Sequence, residues 1–312
     1  MVDHAQPSEN LDLPMIINPF ILGFMLSFAL FGVFVAQCFF YYHSFRKDPL
    51  WTKIYVGGIM LLETAAIVLS VIAAWHIVGV MTFDRHSASL VAWATLLTLP
   101  LSGTLTSLVH GFYAWRIYRL TDTRLVPCIV GMISLAQLGM TIELIVQLEG
   151  PSFNLLHVKP NFAIVVVWLS GAAGADILIT IRMVVFLMKT RRACNFDYTE
   201  SLMQQLIRVF VETGLTTTFA VITALILYVA RHETNLYLIP IYMLTGLYCN
   251  SLMATLNSRA VLGVGRINYP QNRLSRILPM TGGHEDGPAA PAILGHSPRD
   301  SSSGKTDRIS TS

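Results

Sequence analysis

Seven long, sparsely charged segments leave this chain few ways to fold. They lie at about residues 20–42, 54–78, 90–115, 125–147, 162–187, 207–230 and 237–257. Each is long enough for an α-helix, rising about 1.5 Å per residue, to cross roughly 30 Å of hydrocarbon. In that solvent every backbone N–H and C=O must be paired internally, which a helix achieves within one segment. The expected fold class is all-α: a polytopic membrane protein whose residues 20–257 form a seven transmembrane helix bundle. A short stretch, 1–19, precedes it and a tail, 258–312, follows. The chain is 12% charged, about half the share usual in a soluble domain.

The basic residues orient the bundle. Of 21 Lys and Arg, 17 fall in the stretches 43–53, 116–124 and 188–206, at Arg208, or in the tail. Only Arg85, Lys159 and Arg231 fall on the other side, and Arg182 lies inside a segment. Positive residues stay cytoplasmic, so the N-terminus is expected outside and the C-terminus inside. With no basic domain, the chain gives nucleic acid no surface to bind. Residues 1–19 carry Asp3, Glu9 and Asp12 but no Lys or Arg, unlike the n-region of a cleaved signal peptide, so the first helix is expected to direct insertion. The tail exchanges apolar runs for Gly, Ser, Pro and charge and is expected to be disordered. With this topology Cys38, Cys128, Cys194 and Cys249 all lie in helices or on the cytoplasmic side, which argues against an external disulfide.

Ionisable groups within spans are costly and therefore point to function. The candidates are Glu63 in helix 2, His110 in helix 3, Asp176 and Arg182 in helix 5 and Glu212 in helix 6, with Asn250 of helix 7 as a neutral companion. Alternating helix direction puts all six at the middle or cytoplasmic half, where they could surround one cavity. The competing reading is interhelical glue, each hydrogen bond contributing roughly 0.6–2 kcal/mol. Arg208 and Glu212 are spaced to pair along one helix face, and Arg182 is near enough to the helix end to snorkel. Asp176 has no such local explanation and must be protonated, partnered or wet. In helix 5, Ser170-Gly-Ala-Ala-Gly174-Ala175 offers a small-xxx-small surface for close packing, and Pro100 should kink helix 3.

Catalytic patterns are weak. His43 and Asp48 have the His-x4-Asp spacing of some acyltransferases, but Asp48 precedes Pro49 and reads as a turn. His76 and His86 are too loosely spaced for a metal site, and no metal or cofactor is expected. Helix 7 has no Lys for a retinal Schiff base, helix 3 ends in Trp115-Arg116-Ile-Tyr118 rather than Asp-Arg-Tyr, and Asn-Pro-x-x-Tyr is missing. A carrier of three-plus-one-plus-three repeats is disfavoured because Asp48-Pro-Leu-Trp51 has no counterpart after helix 5.

Several stretches together resemble one family. They are Asp48-Pro-Leu-Trp51, Gly111-Phe-Tyr-Ala-Trp-Arg-Ile-Tyr118, Ala175-Asp-Ile-Leu-Ile179, Glu212-Thr-Gly-Leu-Thr-Thr217 and Tyr248-Cys-Asn-Ser-Leu-Met-Ala-Thr-Leu-Asn-Ser-Arg259. In this order, over residues 18–260, the chain resembles the basidiomycete fungal seven-helix proteins that share domain of unknown function 6534. The resemblance implies a membrane location and seven helices but no activity, and it places Asp176, Glu212, Asn250 and Asn257 inside its most recognisable motifs.

Two functions follow as expectations. The first is a receptor-like sensor of a small or lipidic ligand, not an enzyme, with a cytoplasmic partner at 188–206. The second is a small-solute or lipid transporter with a midplane acidic site at Asp176 and Glu212.

Overall fold

The computed structural model describes residues 13–82, 88–121, 123–148, 162–192, 197–231 and 234–258, with side chains at 13–17, 76–82, 88–96, 147–148 and 197–202 excepted. Residues 1–12 and the tail from 259, together with Arg85, His86, Lys159 and Cys194, lie outside the described residues. So do residues 193–196 within the expected partner segment.

Seven helices follow in order: α1 (Leu13–Ser44), α2 (Leu50–Thr82), α3 (Ala88–Thr121), α4 (Leu125–Leu148), α5 (Phe162–Arg192), α6 (Asp197–Arg231) and α7 (Leu238–Asn257). Among the described residues, all but α3 are long and apolar enough to cross a membrane. Their outward faces are apolar, as at Met25, Phe39, Leu61, Leu135, Phe219 and Ile226, whereas Glu63, His110, Arg116 and Asp176 are buried. Apolar surface this extensive is incompatible with water, so the chain is a multi-pass integral membrane protein in contact with the lipid bilayer. The helices outrun the expected spans: α5 continues to Arg192 and α6 begins at Asp197, so most of the expected 188–206 connection is helical.

Neighbouring helices pack in a ring that closes between α1 and α7, with α3 also meeting α5 and α7. That central position accounts for the composition of α3. Its Ser107 and His110 meet α4 and α5 through side-chain hydrogen bonds, so they need not face lipid. The α1–α7 seam is tied three times. Ser27 Oγ donates to the Tyr242 carbonyl at 2.7 Å. Asn250 Nδ2 donates to the Leu30 carbonyl at 2.9 Å, and Asn257 Nδ2 to the Gln37 carbonyl at 3.0 Å. The paired positions rise together along both helices, which therefore run parallel.

The closest approach is between α5 and α6. A Cβ added to Gly214 would overlap Thr180 Oγ1 and stand 2.9 Å from its Cγ2. The small-residue stretch of α5 contributes differently than its sequence suggests: Ala172, Ala173 and Ala175 are buried, but Gly174 has open space beside it. In the turn after α1, Tyr41 donates to Asp48 Oδ2 at 3.0 Å, while His43 is exposed and stacks on Phe39.

Candidate functional site

Three consecutive residues of α7 address three different helices. At about 100° per residue, successive side chains point in well-separated directions. Tyr248 donates its hydroxyl to Asp176 Oδ2 of α5 at 3.1 Å. Cys249 directs its thiol to Glu63 Oε2 of α2 at 3.7 Å. Asn250 turns to the α1 carbonyl and also donates to the Gly246 carbonyl of its own helix at 2.7 Å. Two buried carboxylates thus flank α7 on separate sides.

Around Asp176 the network is continuous. His110 Nε2 lies 3.3 Å from Asp176 Oδ1, and its Nδ1 lies 3.1 Å from Ser134 Oγ of α4. With the proton on Nε2, the imidazole donates to the carboxylate and accepts from the serine hydroxyl. The Tyr248 ring meets the imidazole edge-on, with centroids 5.3 Å apart. Further along the bundle, Tyr113 Oη lies 2.9 Å from Ser251 Oγ and 3.3 Å from Thr255 Oγ1, linking α3 to α7. Arg116 follows, buried, its guanidinium 5.1 Å from the centroid of Phe210.

Two cavities share Tyr248. The larger, about 200 Å³, lies toward the start of α1, and its walls come from α1, α2, α3, α4, α5 and α7 and the residues leading into α7. Its surface is mostly apolar, and Glu63 is its one charged side chain among the described lining residues, accompanied by Gln137, Asn235 and several Ser, Thr and Tyr hydroxyls. The smaller, about 20 Å³, is bordered by His110, Asp176, Thr180, Gly214 and Tyr248.

The structure therefore brings Asp176 and His110 into contact and puts Glu63 on the wall of the larger cavity. The other three candidates lie elsewhere. Glu212 is exposed on α6, two residues and about 200° round from inward-facing Phe210. Arg182 Nη2 donates to Thr123 Oγ1 at 3.2 Å, at the α3–α4 connection. Asn250 fastens α7 to α1. Sequence reasoning missed Tyr248 as the shared wall of both cavities, and it missed Ser134, Gln137 and Thr141. These last three recur at intervals of three and four along apolar α4, which would have placed them on one inward face.

Serine, histidine and aspartate in hydrogen-bonded series have the connectivity of a nucleophile, its base and an orienting acid. Ser134, however, lines neither cavity. Among the described residues, no group of three or more His, Cys, Asp or Glu is arranged to hold a metal ion.

Comparison with known proteins finds one similarity, over the last third of the bundle. No curated protein and no solved structure matches the chain. Residues 172–261, which contain Asp176, Tyr248, Asn250 and Asn257, match the model of a family of unknown function, DUF6534.

Proposed function

We propose that this protein is a receptor-like sensor that spans the membrane seven times and holds a small or lipidic ligand in its larger cavity. The observation that carries the reading is the cavity: about 200 Å³, mostly apolar, with a few polar groups on its walls. The excess of Lys and Arg in alternate connections supports an outer N-terminus and a cytoplasmic tail. The cavity then opens on the outer half. The basic end of α5, with Lys189, Arg191 and Arg192, is the face offered to a cytoplasmic partner, so deleting 188–206 should end signalling and spare ligand binding. Binding is favoured over catalysis because a serine nucleophile needs the reacting atom about 3 Å away, and Ser134 lines neither of these two cavities. We extend the family resemblance from 172–261 to 18–260, and to a basidiomycete origin, on the stretches Asp48–Trp51 and Gly111–Tyr118.

Thermal unfolding of the purified protein against a library of metabolites and lipids tests the reading. Ligand at 100 times its Kd adds about 2.7 kcal/mol to the folded state. The shift should saturate and be lost when Ala172→Phe fills the cavity. A complete library without a saturable shift would remove the basis for a sensor.

One observation favours a transporter as the second reading. The two cavities lie in series with Tyr248 between them, as an occluded path would require. A transporter demands that Asp176→Asn abolish flux into proteoliposomes; a sensor demands no flux at all.

A further inference from the structure

The walls of the larger cavity are mismatched in charge. Glu63 is 2% exposed and lines it, yet no Lys, Arg or His is among the described lining residues. The partner of Glu63 is the Cys249 thiol at 3.7 Å, a weak donor. A second acceptor lies on the same cavity. Gln137 is 4% exposed, and its Nε2 donates to the Trp168 carbonyl at 3.3 Å, which fixes the orientation of the amide. Its Oε1 is then buried without a hydrogen-bond partner. Native interiors leave few polar atoms in that condition, and each one asks for a missing donor. Most of the remaining surface is apolar or aromatic, with Phe20, Trp168 and Tyr242 among it, and its other polar groups are neutral: Ser, Thr and Tyr hydroxyls and Asn235.

We infer that the larger cavity binds a monocationic amine with an apolar body, its ammonium group meeting Glu63 and Gln137. An ammonium supplies several N–H donors and one positive charge, which matches an excess of acceptors and an uncompensated carboxylate. The aromatic walls suit both the hydrocarbon body and the adjoining charge. A carboxylate-bearing ligand would add negative charge beside Glu63 and is rejected. This inference rests on the reading of the cavity as a ligand site.

The test uses matched probes on the full chain in lipid nanodiscs. Aryl-alkyl and alkyl ammonium ions, phenethylamine and octylamine among them, are each compared with the alcohol and the carboxylate of the same body by thermal shift. The expected result is a saturable shift for an amine, with the alcohol at least about tenfold weaker and the carboxylate inert. Glu63→Gln, close to isosteric, should erase the amine's advantage over the alcohol. Should Glu63→Gln fail to fold, the amine-to-alcohol ratio in the natural protein decides alone. Equal affinity for amine and alcohol, lost together in Ala172→Phe, would overturn the cationic ligand and keep the site. No shift from the entire panel would overturn both.

Discussion

Replacing Gly214 by alanine tests the α5–α6 seam that borders Asp176. In a helix interior the exchange ordinarily stabilises by about 0.8–1 kcal/mol, because alanine loses less conformational freedom. Here the new Cβ would overlap Thr180 Oγ1, with Thr180 Cγ2 at 2.9 Å and Cβ at 3.0 Å. Rotating the threonine cannot move its own Cβ, so the contact is not cleared and the helices must separate. Overpacking of this kind costs about 1–3 kcal/mol. The clash wins, and Gly214→Ala should destabilise by about 1 kcal/mol net. Thr180→Ala removes Oγ1 and Cγ2 but leaves the Cβ, so relief is partial. In that background Gly214→Ala should be nearly neutral, a coupling of about 1 kcal/mol. Reversible unfolding in mixed micelles, titrated with a denaturing detergent and followed by helical circular dichroism, measures all four corners of the cycle. A Gly214→Ala variant more stable than the parent by the full helix-propensity gain, with no coupling to Thr180, would refute the close approach.

Other substitutions test the interior. Asp176→Ala strips the acceptor from both His110 and Tyr248 and should cost about 1–3 kcal/mol, whereas Asp176→Asn keeps one acceptor and should cost less; equal losses in the same unfolding assay would count against the network. Asn250→Ala and Asn257→Ala each remove one tie to α1 and should each cost about 0.6–2 kcal/mol. Being two helical turns apart, their effects should add within about 0.5 kcal/mol, and a strongly non-additive double variant would speak against independent ties. Glu212→Gln should shift stability and ligand affinity by less than about 0.5 kcal/mol, since its side chain faces away from both cavities. A fluorophosphonate probe should leave Ser134 unlabelled; covalent labelling of that residue by mass spectrometry would make the serine–histidine–aspartate series an active site.

The helices were legible because a bilayer permits so little else. Runs of apolar residues report the middle of a long helix, and each of the seven runs falls on a helix of the structure. The helix ends were not legible. Asp197 and Arg192 belong to helices whose backbone hydrogen bonds continue after apolar character stops. The site was legible in height and illegible in rotation. Counting residues along a span fixes how deep a group lies, which put Asp176 and His110, side chains that meet in the structure, at similar depth. It says little about which way they point, so Glu212 looked like an equal candidate. Only the inward sequence Met203, Leu206, Phe210, Thr217 on α6 reveals that it is not. Tyr248, Ser134 and Gln137 passed unnoticed for another reason. Neutral polar side chains in a span cost less to bury than charges and are commoner there, so their identity alone does not say which of them have distant partners.

The two asparagine ties impose an unequal demand on the two helices they join. The donors are side chains, so positions 250 and 257 must carry a group able to reach across the seam. The acceptors are main-chain carbonyls at Leu30 and Gln37, and nearly any residue at those positions would supply them. These two ties are thus written into α7 and received by α1, the reverse of the Ser27 tie, whose side chain belongs to α1. Mutation can rework the lipid-facing sequence of α1 while these two ties survive, whereas the same freedom at positions 250 and 257 would remove both. Both of those positions fall within 172–261, the stretch by which the chain can be matched to other proteins.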